Sequence, residues 1–257
     1  MMRIYSWNVN GIRAAVKKNF MEWMGEEKPD LLCLQETKIH EAQIPKELRN
    51  PHGYESYWSC AERKGYSGTC TYALKKPLSA RSVFGKSNFD EEGRIVETEH
   101  EKFFLYNVYF PNGQKDDERL QYKLEFYSDF LDFTLKQQAA SKKEIIIVGD
   151  FNTAHKHIDL KNAKSNEKYS GFLPIEREWI DKYVAAGYVD IYRKLNPDAL
   201  DQYTWWSYRM NARENNTGWR IDYFMITPGV EKWVSDTRIH QDVMGSDHCP
   251  VSLTLDL

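Results

Sequence analysis

The sequence contains no apolar run of about 18 residues, the length a helix needs to cross a bilayer, so no membrane partner is expected. Its first residues, MMRIYSWNVNG, show neither a secretion signal's apolar segment nor a basic targeting tail. A prokaryotic, cytoplasmic protein is therefore the expectation. Cysteine is sparse: Cys33, Cys60, Cys70 and Cys249 show no CxxC spacing and no accompanying histidine cluster. This argues against a zinc site or a disulfide framework and for reduced thiols. Internal repeats, low-complexity stretches and linkers are also missing, and 1–257 reads as a single domain. No GxSxG, Walker or Rossmann glycine pattern is present, and no cysteine has an activating setting. Acyl transfer by a nucleophile triad and dinucleotide chemistry thus lose their usual signatures. Basic charge is not in excess: the net charge is −3 and the pI about 6.2. That disfavours a nonspecific nucleic-acid coat but leaves room for a local basic groove around an acidic centre.

What is present is ample apolar and aromatic material. Of the 257 residues 41% are hydrophobic, enough for a sizeable core. Eight tryptophans and sixteen tyrosines offer stacking surfaces or core packing. Residues 3–10 alternate, with Ile4, Ser6, Asn8 and Asn10 on one face and Tyr5, Trp7 and Val9 on the other. Segments 30–35 and 144–148 are short apolar runs that read as strands buried on both faces. Further strands are predicted at 54–59, 69–74, 94–99, 103–110, 219–226 and 251–257. Helices are predicted at 14–26, ended by Pro29, and at 175–186, with Gly187 as its C′ residue. A third, 116–138, repeats Leu120, Leu124, Tyr127, Leu131 and Leu135 at helical steps. Many strands with a few long helices predict a layered α/β protein, two packed sheets with helices outside. Long polar loops at 40–52, 153–173 and 210–217 are candidates for function.

The polar residues cluster at strand ends. The first strand finishes in Asn8 and Asn10, DLLCLQ in Glu36, YNVYFPN in Tyr109 and Asn112, and IIIVG in Asp150 and Asn152; Asp247 and His248 precede the last strand. Each has an ordinary reading. Glu36 could pair with Lys38, Asn10-Gly11 is a turn dipeptide, Asp150 suits an Asx-turn, and His248 alone reads as a structural histidine. Their conjunction at five strand ends points to chemistry. Carboxylates and amides suit Mg²⁺, which keeps most of its waters and neutralises phosphate charge. A further acid can deprotonate water, and a histidine held by a carboxylate, for which Asp222 is the candidate, can donate to a phosphoryl oxygen. Phosphodiester hydrolysis fits this inventory. Arg13, Lys17, Lys18, Arg63, Lys64 and the segment YTWWSYRMNARENN supply basic and aromatic groups for DNA. Solvated loops and packed core are the competing readings of those residues.

In order along the chain, WNVNG, LQETK, KGYSG, YFPN, GDFN, GFLPIER, YTWWSYR, GWRIDYF and GSDHCP resemble the exonuclease III family of apurinic/apyrimidinic endonucleases. The family lies within the endonuclease/exonuclease/phosphatase superfamily. The resemblance runs from the first strand to the last residue. It implies a four-layer α/β sandwich, two mixed sheets flanked by helices. It also implies hydrolysis 5′ to an abasic site in duplex DNA, leaving a 3′-hydroxyl and a 5′-deoxyribose phosphate, by a monomer using Mg²⁺, with Mn²⁺ as a substitute. By the same resemblance Glu36 binds the metal, with Asn8, Asn10 and Asp247 near it. Asp150 positions or deprotonates the attacking water beside Asn152. His248, paired with Asp222, contacts the scissile phosphate, as do Tyr109 and Asn112. Trp205 and Trp219 line the pocket for the flipped sugar, and Arg209 inserts into the duplex. Arg13, Tyr66, Arg94 and Lys115 match positions near the DNA backbone. Asn10 stands where some members carry Asp, which removes one charge from the metal site. No role is assigned within 164–169.

Two other classes compete. A phosphoesterase acting on non-DNA phosphate esters would need the metal and histidine groups but no DNA wedge. A non-catalytic DNA-binding module would not need five carboxylate and histidine groups that repel or titrate against phosphate.

Overall fold

In the computed structural model, which describes residues 1–82 and 85–257, two six-stranded mixed sheets pack face to face with helices outside. One sheet runs in the order Val234–Ile239, Val251–Leu255, Met2–Asn8, Leu31–Gln35, Thr69–Ala73, Glu55–Ser59. The other runs Ser79–Arg81, Ile95–Glu99, Phe103–Tyr109, Glu144–Asp150, Asp222–Ile226, Val189–Asp190. Each contains a central parallel pair: Met2–Asn8 with Leu31–Gln35, and Phe103–Tyr109 with Glu144–Asp150. The layered α/β expectation therefore holds.

Alternation along the strands builds the layers. Ile4, Leu31 and Cys33 face the opposite sheet and pack with Leu105, Ile146, Val148 and Phe224. Tyr5, Trp7, Leu32 and Leu34 face outward onto Ile12, Phe20 and Met24. The long helix Asp117–Ser141 covers the other sheet with Phe126, Tyr127, Phe130 and Leu131. Asp116 caps that helix, accepting the Arg119 N–H at 2.8 Å. Toward one end of the sandwich the inward face turns polar. Ser6, Gln35 and Asn107 replace the aliphatics, and Gln35 Nε2 donates to Asn107 Oδ1 at 2.7 Å across the two sheets. A buried amide survives there because it is hydrogen-bonded.

Several elements differ from the sequence expectation. Segment 14–26 is not one helix: Ile12–Val16 and Phe20–Glu27 are separated at Asn19, whose φ of 71° is left-handed. Asparagine tolerates that conformation, and the break turns Phe20 into the core. Segment 219–226 is likewise divided. Gly218–Trp219 pairs with Trp205–Trp206 in a separate small ribbon, and Asp222–Ile226 joins the large sheet. Between them Arg220 is buried, gripped by Asp159 at 2.8 Å and Asp190 at 2.6 Å. The loop 40–52 contains the short helical turns Glu41–Gln43, Lys46–Arg49 and Pro51–Gly53. The edge strands Ser79–Arg81, which is exposed, and Val234–Ile239, which is only partly buried, escaped notice because they lack clear apolar alternation; backbone pairing holds them. No helix among the described residues is long and apolar enough to cross a membrane.

Candidate active site

The two parallel pairs end at the same rim, which is where Asn8, Glu36, Tyr109 and Asp150 leave their strands. Strand register aligns the rest: Tyr109 and Asp222 both lie opposite Asp150 on its two neighbours. Sharp exits re-aim the chain. Asn10, Glu36, Lys38 and Asn152 take φ values of 46°, 50°, 50° and 51°. For Glu and Lys this costs on the order of 1 kcal/mol or more each. The bends are held by backbone bonds, Gly11 N to Glu36 O at 2.7 Å and Lys38 N to Ser67 O at 2.8 Å.

These exits converge into one hydrogen-bonded set. Buried Asn8 donates Nδ2 to Asp150 Oδ2 at 2.9 Å and to Glu36 Oε1 at 3.2 Å. The Tyr109 hydroxyl donates to Glu36 Oε1 at 2.6 Å. The Lys38 ammonium lies 2.6 Å from Glu36 Oε2 and also donates to the Asn10 side-chain oxygen. Asn10 in turn donates to Asp247 Oδ1 at 3.0 Å, and the Trp205 indole donates to Asp247 Oδ2 at 3.1 Å. The Asn152 N–H donates to Asp150 Oδ1 at 2.7 Å. His248 Nδ1 lies 2.9 Å from Asp222 Oδ2, so that nitrogen carries the proton, and Nε2 is left facing Asp150 Oδ2 at 3.9 Å. The ring is fixed from behind, where the Trp7 indole donates to His248 O at 3.1 Å and Ser246 accepts the His248 N–H at 3.3 Å.

Electrostatics separate the roles. Burial, then the like charge of Asp222, pushes the Asp150 carboxyl up to about 7 against the pull of His248. Burial alone would lower His248, but the charge and hydrogen bond of Asp222, with Asp150 and Asp247, carry it up to about 10. Burial would also raise Glu36, yet Lys38 and the Tyr109 hydrogen bond hold it below its ordinary value. Asp247 is lowered too, by His248, Trp205, Asn10 and Ser246 against its own burial. Two carboxylates are thus kept charged while a third, Asp150, is poised to take a proton. Groups split in this way mark acid–base sites.

The donor set fits a small divalent cation. Glu36 and Asp247 present hard oxygens near the amides of Asn8 and Asn10, and Lys38 acts as the local cation on a side chain long enough to withdraw. Asp150, Asp222 and His248 also offer ligand atoms within 4.8 Å of one another. Asp222 and His248 are committed to each other, however, and that arrangement suits proton handling better than ligation.

Beside this set opens a cleft of about 910 Å³, lined by Asn10, Glu36, Asn152, Asp247 and His248 and walled by Trp205, Trp219 and Arg209. Trp205 and Trp219 meet edge to face with ring centres 6.2 Å apart. The rim thus gathers every expected catalytic and metal-site residue, with Trp205, Trp219 and Arg209 alongside. Asn112 stands at its edge, donating to Asn152 Oδ1 at 3.3 Å. A neighbouring groove of about 720 Å³ beyond Asn112 holds Tyr66, Arg94 and Lys115. Arg13 is exposed behind the Asn10 turn, with a guanidinium nitrogen 3.5 Å from Lys38 O.

Arg94 lines that neighbouring groove from an enclosed position. It is 2% exposed, and its guanidinium is used on Glu92 at 2.6 Å, Tyr109 O at 2.9 Å and the Tyr66 hydroxyl at 3.2 Å. It supports Tyr66 and Tyr109 from beneath, with three of its five N–H groups engaged in these bonds. Within the segment 203–216, for which DNA contact and packed core were the competing readings, Trp206 and Arg213 turn inward. Trp206 is buried, and Arg213 stacks on it while donating to the carbonyls of Gln241, Val243 and Ser246. This shapes the segment that delivers Asp247 and His248.

Sequence reasoning marked the loop 153–173 as a candidate for function but gave no role to its cleft-lining residues Asn166, Lys168, Tyr169 and Ser170. It also missed Lys123 and Glu176. Lys123 sits on the same helical stripe as Leu120, Leu124 and Tyr127, and a lysine on an apolar stripe was a readable signal.

Fold and rim together are shaped for hydrolysis of a phosphate ester. The chain itself places the protein further: residues 5–248 match the Endonuclease/Exonuclease/phosphatase family, and the protein belongs to that family. It is 42% identical over 257 residues to an exodeoxyribonuclease of Bacillus subtilis (strain 168), covering 100% of both chains. It is 43% identical over 256 residues to the DNA repair nuclease APEX1 of Danio rerio, covering 99% of this chain and 82% of that one. Among solved structures, the AP endonuclease LMAP from Leishmania major superposes with a TM-score of 0.90 at 34% identity, over 100% of this chain and 88% of that one. An AP endonuclease from Archaeoglobus fulgidus gives 0.89 at 27%, over 100% of both. The resemblance read from the nine motifs is confirmed.

Proposed function

We infer that the protein is a Mg²⁺-dependent DNA repair nuclease that hydrolyses the phosphodiester bond 5′ to an abasic site in duplex DNA, leaving a 3′-hydroxyl and a 5′-deoxyribose phosphate. The observation that carries this reading is the adjacency of a poised carboxylate, Asp150, to the Asp222–His248 pair beside an aromatic cleft. The names borne by the Bacillus, zebrafish, Leishmania and Archaeoglobus proteins support the substrate class. Asp150 accepts a proton from the attacking water, held in orientation by Asn8 and the Asn152 N–H. His248, its Nδ1 proton on Asp222, donates from Nε2 to a phosphoryl oxygen. Glu36, with Asn8, Asn10 and Asp247 around it, would hold Mg²⁺, which would supply charge neutralisation for the phosphate and the departing oxygen, and Mn²⁺ is expected to replace it. Tyr109 and Asn112 stand where the same phosphate would lie.

Selection follows from the missing base. Such a nucleotide has lost its pairing and stacking, so extruding it costs less than the few kcal/mol of an intact one. The Trp205–Trp219 corner admits the bare sugar and excludes a nucleotide that keeps its base. Arg209 enters the space left in the duplex, while Arg13, Tyr66 and Lys115 hold the flanking backbone. One chain supplies every group named, in keeping with a single-domain monomer that acts where cytoplasmic DNA is found.

The test is an incubation with end-labelled duplexes carrying an abasic site, a 3′-phosphate, a deoxyuridine or no lesion, with and without Mg²⁺. The expected result is Mg²⁺-dependent incision at the abasic position. Release of 3′-phosphate or 3′-terminal nucleotides would add 3′-end cleaning and 3′→5′ exonuclease activity; the Bacillus relative is named an exodeoxyribonuclease. No cleavage of any duplex, with turnover of a small phosphate ester instead, would favour a non-DNA phosphoesterase.

A further inference from the structure

Away from the rim, one ion pair is withdrawn from solvent completely. Lys123, on the helix Asp117–Ser141, and Glu176, on the helix Pro174–Ala185, meet at 2.7 Å with both side chains 0% exposed. The remaining bonds of the pair reach two other segments. Lys123 Nζ donates to Asn152 O at 2.8 Å. Glu176 Oε1 accepts the Ser170 hydroxyl at 2.8 Å, and Oε2 accepts the N–H groups of Gly171 at 2.6 Å and Leu173 at 3.1 Å. Asn152 is the residue whose own N–H holds Asp150, and Ser170, Gly171 and Leu173 line the cleft. The fit at Gly171 is close. Its φ is 97°, and a Cβ there would lie 3.1 Å from the Trp219 ring and 3.4 Å from Asn152 O.

Burying two charges is costly, and an apolar pair of the same volume often gives equal or greater stability. Stability is therefore not what such a pair uniquely supplies. Hydrogen bonds in fixed directions to one carbonyl, one hydroxyl and two backbone N–H groups are something no apolar pair can make. We propose that Lys123 and Glu176 are positioning residues: from behind, they lock the Asn152 turn that orients Asp150 and the wall that backs Trp219, setting water activation and pocket in fixed register. The proposal rests on the hydrolytic role assigned to Asp150 and deepens it.

The test uses the neutral, near-isosteric double variant Lys123→Met/Glu176→Gln, which keeps an acceptor for Gly171 and Leu173 but loses the donor to Asn152. Wild-type circular dichroism is expected, with KM for an abasic duplex within about twofold, kcat reduced about tenfold, and recovery in Lys123→Arg, because small misplacements of an oriented group cost rate more than binding. A folded double variant with wild-type kcat would overturn the proposal. A second measurement needs no variant and no activity: amide hydrogen exchange of the wild-type protein. Gly171 and Leu173 are expected to exchange as slowly as the strand Glu144–Asp150, and exchange at the rate of exposed loops would overturn the proposal even if the double variant fails to fold. A wild-type protein that cleaves no abasic duplex would instead sink the functional reading, leaving the exchange result to decide the pair's role.

Discussion

On one side of the cleft Asn8, Asp150 and Asp222 sit at strand ends with exposures of 0%, 1% and 3%. On the other, Lys168, Tyr169 and Arg209 project from turns into solvent. Groups that handle protons work over hydrogen-bond distances, and strands buried on both faces hold them there. Groups that meet a long, deformable polymer gain from adaptable turns. Between the two sides stand Trp205 and Trp219, on a two-stranded ribbon tied to the rim through Asp247 and His248. If chemistry and choice are divided in this way, damage to one side should change rate without selectivity, and damage to the other should do the reverse.

The largest effect is expected at Asp150. Asp150→Asn should still bind an abasic duplex in a gel-shift assay while its single-turnover cleavage falls about 10³-fold, the scale of a lost general base. Cleavage should fall equally on every duplex the wild type cuts, and wild-type turnover would rule out the assigned role. Glu36→Ala should fold normally but need roughly 10–100 times more Mg²⁺ for half-maximal rate, on the scale of a weakened metal site. An unshifted titration would remove Glu36 from the metal site.

Next in size is a stability effect outside the rim. Asp159 is held down to about 2: burial would raise it, but the charge and hydrogen bonds of Arg220, with Arg193, prevail. A depressed carboxylate contributes stability that is fully present above its ordinary value near 3.8 and is lost as pH falls through about 2. Asp159→Asn should therefore be about 2 kcal/mol less stable to urea at neutral pH. The gap should narrow from pH 4 to pH 2, and a constant gap across that window would contradict the assignment. The smallest effect belongs to exposed Arg209. Arg209→Ala should raise KM several-fold, on the order of 1 kcal/mol, and leave kcat alone; a change confined to kcat would place Arg209 with the chemistry instead.

The same division explains what could be read in advance. Asn8, Glu36 and Asp150 were legible because an apolar run that stops at a carboxylate or amide is a local pattern, and parallel strands bring such ends to one edge. The inward and outward faces of residues 3–10 followed from period two and were correct. Arg94, by contrast, looked like any basic residue beside a strand, and only the structure shows that it is enclosed by Glu92, Tyr66 and Tyr109 and braces the two tyrosines. The division at Arg220 was illegible for a related reason: its partners Asp159 and Asp190 are distant in sequence. The cleft wall at 166–170 has no periodicity, and its place is set by Glu176 and Trp219.

The division itself is tested most directly by one ratio, the single-turnover cleavage rate on an abasic duplex over that on an intact duplex, compared between wild type and Trp219→Ala. Loss of the aromatic wall should lower that ratio about tenfold or more, on the scale of a lost stacking platform, while the variant still cuts with the same Mg²⁺ dependence. Cleavage of the two duplexes in unchanged proportion would contradict the claim that the tryptophan corner chooses the substrate.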